Sequence, residues 1–367
     1  MASGPVKHGK TECLPESFYG LSVSGKPSVL PEKILESELE VLLQEARRIR
    51  DSRFGRRINL YSPLYLSSYC GNSCAYCGFS SALPGSRRVL SLREILAESD
   101  YLKNRGIESI LIVGGEDPSR AGYDFICGVV EALAEKFSHV SIEVSPFSEE
   151  QYRNLYNSGL DGVTVYQETY DRQLYARYHR KGRKSDYRYR LETPERAALA
   201  GVPFVNIGAL LGLAPWREEV AFLAKHLEYL IKKHWRTTFG VSFPRVVEEG
   251  AGFKAPYPVS DRDFVKIVSA VRILFPDTPI YISTREPPYM RDNLARYGIT
   301  HMSVESKTSP GGYLHYEKDT KQFGVFDSRS TGEVCSALEG SGLRPVFKDW
   351  DRGYRNAEPS ISAGDME

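Results

Sequence analysis

Three cysteines within eight residues constrain this chain more than any other feature. Cys70, Cys74 and Cys77 follow a segment rich in tyrosine and leucine, with three residues inside the first gap and two inside the second. Thiols this close on one loop suit a metal or a cluster better than disulfides. A structural zinc site takes four ligands, usually in two pairs, and the chain has no second pair. The spacing predicts a [4Fe–4S] cluster with one open iron, and a fortuitous triplet holding zinc or nothing is the alternative.

The composition is that of an ordinary globular protein and narrows the possible partners. Of 367 residues, 41% are hydrophobic and 26% are charged, and 48 basic residues balance 47 acidic ones. This balance does not favour nucleic acid or an anionic membrane as the main partner. No apolar run approaches the ~18 residues of a membrane span, and the N-terminus has no signal-peptide core. We therefore expect a cytoplasmic protein.

Short apolar strands and amphipathic helices alternate after the cysteines. Eight strand–helix units are predicted, with the first strand at 58–69 and the last at 300–303. This alternation predicts a parallel sheet closed into a (β/α)8 TIM-type barrel, with an open arc of six units as the alternative. We expect an N-terminal arm and leader helix over 1–55, the barrel over 56–305, and a C-terminal extension over 306–367 that packs on the barrel and ends in a frayed tail.

In a parallel barrel, functional groups collect at the carboxyl ends of the strands. Predicted strand ends carry Gly115 with Glu116, Glu168, Arg285 and Ser303. The glycine lets the backbone approach a ligand closely, although a plain tight turn is the alternative. A charged side chain at the end of an apolar strand must be paired or must bind an anion. Arg285 therefore either pairs with a carboxylate such as Glu286 or binds the carboxylate of a substrate.

Seven segments of the chain resemble the aromatic amino-acid lyase branch of radical S-adenosylmethionine (SAM) enzymes, and within it the 2-iminoacetate synthase family of thiamine thiazole biosynthesis. The resemblance covers roughly residues 35–351 and rests on LYLSSYCGNSCAYCGFS, VYQETYDRQLYARYHRKGRKSDYRYRLETPERAALAG, IGALLGL, VSFPR, STREPPYMRD, SKTSPGGY and PVFKDWD. It implies a barrel of the radical SAM kind. Each segment alone is a weak indication, but the combination is specific.

The resemblance also implies a reaction. The open iron would chelate SAM, and the reduced cluster would cleave it to methionine and a 5′-deoxyadenosyl radical. That radical would take a hydrogen atom from the amino group of L-tyrosine, and the Cα–Cβ bond would break to give 2-iminoacetate (dehydroglycine) and p-cresol. Because dehydroglycine hydrolyses readily, direct transfer to a thiazole synthase subunit is implied. A reductant such as flavodoxin or ferredoxin would supply the electron.

The resemblance assigns a set of residues to SAM. Tyr76, between two cluster cysteines, would place backbone contacts on the adenine. Gly115 and Glu116 would contact the amino group. Glu168 and Arg190 would hold the ribose hydroxyls and the carboxylate, because an arginine fork binds both carboxylate oxygens. For these last two residues a structural ion pair is an equal alternative.

A second set is assigned to the substrate. Arg285 would bind the tyrosine carboxylate, Ser303 would assist it, and Tyr65 would lie near the substrate amine. No residue is securely predicted to contact the phenol, and Arg245 is the one candidate. His179 lies in a basic run and is expected on the surface or in a loop.

Three alternatives stay open. A hydrogenase-maturation tyrosine lyase shares the barrel but carries a second cluster on a C-terminal cysteine motif, whereas this tail has only Cys335. A tryptophan lyase shares the strand-end Arg and Ser. An inactive barrel that serves as a scaffold for a thiazole synthase would bind no iron and release no 5′-deoxyadenosine.

Overall fold

The computed structural model describes residues 37–248, 252–314 and 320–348. The predicted N-terminal arm and frayed tail lie outside these ranges, as do the last three residues of the PVFKDWD segment. The leader helix expected within 1–55 is present as α1, Leu39–Phe54. It packs against the helix Asp261–Leu274. Within the residues that the structure describes, no helix combines the length and apolar character needed to cross a membrane.

Eight parallel strands form the barrel, and β1 closes it by pairing with both β2 and β8. The predicted closed barrel is confirmed and the open arc is excluded. Apolar residues alternate with polar or small ones along most of these strands, as in HVSIE and TFGVS, whereas the centre of β2, SILIVG, is apolar throughout. The strands are β1 Arg57–Ser67, β2 Ser109–Gly114, β3 His139–Glu143, β4 Gly162–Glu168, β5 Phe204–Ala209, β6 Thr238–Ser242, β7 Ile280–Ile282 and β8 His301–Ser303.

Helices cover the outside of the barrel. Ser91 and Ser148 each begin a helix in a capping box, in which the serine oxygen and a side chain three residues later satisfy free backbone amides. The short α5 and α6 lie in the basic, tyrosine-rich stretch and were not predicted. The helices are α2 Leu92–Lys103, α3 Tyr123–Ala134, α4 Glu149–Asn157, α5 Arg172–Tyr178, α6 Tyr187–Leu191, α7 Thr193–Leu199, α8 Trp216–Lys233, α9 Asp261–Leu274, α10 Pro288–Ala295 and α11 Thr331–Gly340.

The strand register decides which side chains meet at the carboxyl end. Tyr65 on β1 is opposite Val113 on β2, and Val113 is opposite Glu143 at the end of β3. On the other side of β1, Tyr61 is opposite Ser303 at the end of β8. The register therefore brings residues far apart in sequence to one rim of the barrel.

The chain after β8 returns to the barrel. A ninth strand, β9 Arg344–Val346, pairs with the first residues of β1. Before it, the Phe326 amide donates to the Thr284 carbonyl at 2.9 Å, and the Gln322 amide donates to the Thr308 carbonyl at 2.9 Å. These bonds carry residues 320–327 across the carboxyl ends of the strands, where they complete the site.

Candidate active site

The three cysteines lie on the loop that follows β1. Cys74 is buried, and Cys70 and Cys77 are half-buried. Burial raises the pKa of the Cys77 thiol to about 11 and also raises the pKa of the other two thiols, whereas the Lys184 ammonium group lowers all three. The pKa of Cys74 is raised further by the other two thiols, so the fold brings the three together. Binding them to iron must therefore displace protons.

Two distant segments hold the cysteine loop. Asn72 Oδ1 accepts a hydrogen bond from the Lys184 amide at 3.0 Å. Gly182, with a φ of +91°, passes so close that a Cβ there would lie 2.1 Å from the same oxygen. On the other side, the Gly78 amide donates to the Gln322 carbonyl at 2.9 Å. The position of the thiols therefore depends on chain segments about 100 and 250 residues away.

Gly115 and Glu116 lie directly against the cysteine loop. A Cβ at position 115 would lie 2.2 Å from the Tyr69 carbonyl oxygen and 3.1 Å from the Cβ of Cys70, so the approach requires glycine. The Gly71 amide donates to the Glu116 carbonyl at 2.9 Å. The Oε2 atom of Glu116 is buried and has no hydrogen-bond partner among the residues that the structure describes. A buried carboxylate oxygen without a donor is costly, which points to a ligand that donates.

A recess next to these groups, which we call the cysteine cavity, contains the predicted SAM residues. Arg190 Nη1 lies 3.1 Å from Glu116 Oε1, and Arg190 Nε donates to the Tyr166 carbonyl at 2.6 Å. Lys184 Nζ lies 2.6 Å from Glu168 Oε1. The cavity is lined by Tyr76, Cys77, Glu116, Glu168, Lys184 and Arg190, among others.

The charges in the cysteine cavity stabilise one another. Burial raises the pKa of Glu168, but the Lys184 and Arg190 cations outweigh it and hold that pKa below its usual value. Burial lowers the pKa of Lys184, yet the surrounding carboxylates and Cys74 leave it above its usual range. Arg190 likewise keeps a raised pKa against its burial, chiefly because of Glu116. All these groups remain charged at neutral pH.

Glu168 has an unusual backbone. Its φ is +69°, a conformation that costs a residue other than glycine about 1–3 kcal/mol. The strain is held by the sheet, because the Leu210 amide donates to the Glu168 carbonyl at 2.8 Å. The conformation turns the carboxylate at the end of β4 to the cavity, where Lys184 binds one of its oxygens.

Tyr76 is fixed by a histidine that the sequence placed on the surface. His179 follows α5 in the connecting segment, as one expectation had it, but it is buried, so the expectation of a surface position was wrong. Its Nδ1 lies 2.8 Å from the Tyr175 carbonyl and its Nε2 lies 2.7 Å from the Tyr76 hydroxyl. Burial and the Lys184 charge lower the pKa of His179 to about 3, so the ring is neutral. A neutral ring donates from Nδ1 to the carbonyl and accepts the tyrosine proton at Nε2.

A second recess, the serine cavity, adjoins the first and contains the predicted substrate residues. The Tyr65 hydroxyl donates to Gln322 Oε1 at 2.6 Å. Ser303 Oγ accepts hydrogen bonds from the Thr284 amide at 3.2 Å and from the Ser306 hydroxyl at 3.3 Å. The cavity is lined by Tyr61, Tyr65, Glu143, Tyr166, Ser283, Arg285, Ser303, Ser306 and Phe323, among others.

Arg285 lines both cavities. Its Cζ lies 3.5 Å from the centroid of the Phe323 ring, a stacking arrangement that leaves the edge of the guanidinium group available. Within 37–248, 252–314 and 320–348, no carboxylate forms an ion pair with it. The sequence offered Glu286 as a partner, but that carboxylate binds both Nε and Nη2 of Arg245 instead. Arg245 also contacts Asp261 and lines neither cavity.

The residues fit a cluster and SAM. Across the described ranges, no group of three or more His, Cys, Asp or Glu side chains is arranged to hold a single metal ion. A [4Fe–4S] cluster distributes its thiolates over separate irons, so its ligands do not converge on one ion. Cys77 and Glu116, whose Oε2 has no partner among the described residues, line the same cavity, and the close approach at Gly115 brings the segment that carries Glu116 against the cysteine loop. These features suit a cofactor that carries an ammonium group beside an iron site.

Comparison with known proteins agrees with this chemistry. Two family models match the chain: the Radical SAM superfamily over residues 64–224 and the Biotin and Thiamin Synthesis associated domain over residues 229–344. The chain is 41% identical to 2-iminoacetate synthase of Escherichia coli K12, over 85% of this chain and 83% of that protein.

Two solved structures of the [FeFe]-hydrogenase maturase HydG share the fold. One has a TM-score of 0.82 at 32% identity and covers 88% of this chain and 73% of that chain. The other, from Carboxydothermus hydrogenoformans, has a TM-score of 0.80 at 33% identity and covers 86% and 74%.

The barrel, the cysteine loop and the adjoining cavity define a radical SAM enzyme, which uses a [4Fe–4S] cluster and SAM. The chain belongs to the 2-iminoacetate synthase family. It is therefore a radical SAM lyase.

Several residues of the site were not predicted. Lys184 was assigned to a solvated basic run, and Gln322 and Phe323 lie in an extension with no sequence pattern that connects them to the barrel. Glu143 ends β3 and lines both cavities. Its position near a predicted strand end was a signal that could have found it.

Proposed function

We propose that this enzyme is a tyrosine lyase that cleaves the Cα–Cβ bond of L-tyrosine to 2-iminoacetate and p-cresol, and so provides the glycine-derived part of the thiazole of thiamine. The observation that carries the proposal is the 41% identity to 2-iminoacetate synthase over most of both chains. When bound, the cluster supplies the electron that converts SAM to methionine and a 5′-deoxyadenosyl radical.

On the SAM side, the chain's role is to bind and orient. In this proposal Cys70, Cys74 and Cys77 hold the cluster, and Glu116 accepts the SAM amino group through its unpartnered oxygen. Glu168, strained and held by Lys184, is available to the ribose hydroxyls. Tyr76, fixed by a neutral histidine, offers backbone contacts to the adenine. The remaining donors of the Arg190 fork are close enough to the cavity to receive a carboxylate.

On the substrate side, Arg285 binds the tyrosine carboxylate. Its guanidinium is stacked on Phe323 and has no carboxylate partner in the described part of the chain, so its charge is available to a ligand. Ser303 adds a hydroxyl beside it, and Tyr65 closes the opposite wall through its bond to Gln322. The main contribution of these residues to catalysis is to position the substrate, because a radical reaction fails if water or a misplaced hydrogen donor reaches the site.

Anaerobic turnover tests the proposal. The protein would be reconstituted with iron and sulfide, reduced with dithionite, and given SAM with either tyrosine or tryptophan. Mass spectrometry would then follow 5′-deoxyadenosine, p-cresol and glyoxylate, the hydrolysis product of 2-iminoacetate. We expect all three from tyrosine and none from the Cys74→Ala variant. Product from tryptophan alone would overturn the substrate assignment, and absence of iron binding and of 5′-deoxyadenosine would identify an inactive scaffold.

The second candidate is the chemistry of the HydG relatives. The TM-score of 0.82 at 32% identity favours it as an alternative, but this chain covers only 73% of that structure. Both candidates begin with tyrosine, so p-cresol does not separate them. Release of cyanide or carbon monoxide in the same assay would favour the maturase reaction.

Two protein partners follow from the proposed chemistry. Because 2-iminoacetate hydrolyses in water, we propose direct transfer to a thiazole synthase subunit. Reduction of the cluster requires a low-potential donor such as flavodoxin or ferredoxin. Both would be met in the cytoplasm. A coupled assay tests the transfer: with thiazole synthase present, glyoxylate should fall as thiazole forms, whereas unchanged glyoxylate would show release into solution.

A further inference from the structure

Among the residues that the structure describes, Glu143 is the one acidic side chain that lines both cavities. It ends β3, opposite Val113 in the register, and its carboxylate faces the space between the cysteine side and the serine side. It forms no hydrogen bond or ion pair with another side chain in the residues that the structure describes. Every other carboxylate named in the cysteine cavity has a cationic partner, Glu116 with Arg190 and Glu168 with Lys184.

Arg285 is the matching cation. It lines the same two cavities and also has no carboxylate partner within the described residues. The two opposite charges act on each other electrostatically but do not form an ion pair. A cavity that keeps one free cation and one free anion in its wall is complementary to a zwitterion. An α-amino acid carries both charges on one carbon, so a carboxylate bound by Arg285 puts the ammonium group in the same space.

We propose that Glu143 binds the α-ammonium group of the substrate and thereby selects amino acids over compounds that carry only the carboxylate. The inference rests on the proposed function, because it takes tyrosine as the substrate. Glu143 is then a catalytic residue, because it contacts the substrate directly. The carboxylate also fixes the amine relative to the cysteine cavity, which lies on the other side of it.

Without a bound ligand, the surroundings of Glu143 disfavour its ionised form. Burial and the Glu168 carboxylate raise its pKa to about 7, although Arg285, Lys184 and Arg190 oppose the shift. Binding of an ammonium group favours the ionised form. Among the described residues, the hydroxyls of Tyr61, Tyr65 and Tyr166 also act on it electrostatically, and burial and Glu143 raise their pKa values above the usual tyrosine value, so they stay neutral.

The test compares two ligands on the anaerobically reconstituted enzyme with SAM bound. One is L-tyrosine, and the other is 3-(4-hydroxyphenyl)propanoate, which lacks only the amino group. Glu143→Gln should weaken tyrosine binding about 10- to 100-fold, the range for loss of a charge-assisted hydrogen bond, and leave the analogue within about threefold. Equilibrium dialysis measures both affinities, and the cluster absorbance and SAM affinity check that the site is intact.

A matched control is Glu149→Gln, the same chemical change on the surface, where Glu149 pairs with Arg153. It should change neither affinity. An equal loss of both ligands in Glu143→Gln, or no loss of tyrosine, would overturn the role of Glu143 and leave the proposed function standing. No binding of tyrosine to the wild-type enzyme would overturn the proposed function and this inference together.

A pH series provides a second test that needs no variant. Because the ammonium group requires an ionised Glu143, the ratio of tyrosine affinity to analogue affinity should rise about tenfold between pH 6 and pH 8. Glu143→Asp, which keeps the charge, should retain that rise. A flat ratio in the wild-type enzyme would refute the proposal even if Glu143→Gln failed to fold.

Discussion

Arg285→Lys separates substrate binding from SAM binding. Lysine keeps the positive charge but loses the planar fork and the stacking on Phe323. Loss of one charge-assisted hydrogen bond costs about 1.5–3 kcal/mol, and loss of the stacking costs about 0.5–1 kcal/mol. The total of about 2–4 kcal/mol corresponds to a tyrosine affinity roughly 30- to 1000-fold weaker. SAM affinity should change by less than about threefold, because its predicted ligands lie on the cysteine loop, on α6 and at the ends of β2 and β4.

The assay is equilibrium binding of tyrosine and of SAM to the same anaerobic preparation. Arg217→Lys is the matched control: Arg217 Cζ lies 4.6 Å from the Trp216 ring centroid, and the side chain is exposed on the outside of the barrel. It should leave both affinities unchanged. If Arg285→Lys weakened tyrosine and SAM equally, Arg285 would not belong to the substrate site. If it weakened neither, the unpaired guanidinium would have no role in binding.

Three further predictions concern the cluster, the cofactor approach and stability. Cys74→Ala should abolish iron loading and SAM cleavage together, as measured by absorbance and 5′-deoxyadenosine. Gly115→Ala should reduce SAM affinity at least about tenfold, because its Cβ would lie 2.2 Å from the Tyr69 carbonyl oxygen. Asp327→Asn should lower the free energy of unfolding by about 3–5 kcal/mol, because it leaves the buried Arg291 without its counter-ion. Burial raises the pKa of Asp327, but Arg329 and Arg291 outweigh this and lower it. The ion-pair stabilisation is therefore present above about pH 4 and is lost as the pH falls through the lower folded value.

Each of these has a control on the same chain. Cys335→Ala should load iron normally, because Cys335 lies on α11 away from the cysteine loop. Gly128→Ala should leave SAM affinity unchanged, since nothing lies within 4 Å of its added Cβ. Asp277→Asn should not affect stability, because its side chain is 77% exposed. Normal iron in Cys74→Ala, normal SAM binding in Gly115→Ala, or an unchanged unfolding curve in Asp327→Asn would refute the corresponding argument.

The barrel could be predicted because its determinants are local. Apolar runs of strand length, serine caps and the regular alternation are each visible in short windows. The first strand, expected at 58–69, agrees with β1, Arg57–Ser67, and the last, expected at 300–303, agrees with β8, His301–Ser303. The helices α5 and α6 were missed because their sequence is basic and rich in tyrosine rather than periodic. Their positions are set by the buried His179 and by contacts with the cysteine loop.

The sequence by itself determined the cysteine loop, the alternation of strands and helices, and the strand-end positions of Glu116, Glu168, Arg285 and Ser303. These features depend on the spacing and polarity of residues that are neighbours along the sequence. Closure of the sheet was decided by the pairing of β1 with both β2 and β8 in the structure. Only the tertiary structure decided how the strand-end groups are paired. In the described part of the chain Arg285 has no carboxylate partner, because the Glu286 carboxylate binds Arg245, and Phe323 reaches its guanidinium from the returning extension. Electrostatic pairing depends on the distance between two charges in space. The strand register and the returning C-terminal extension set that distance, whatever the separation of the residues along the sequence.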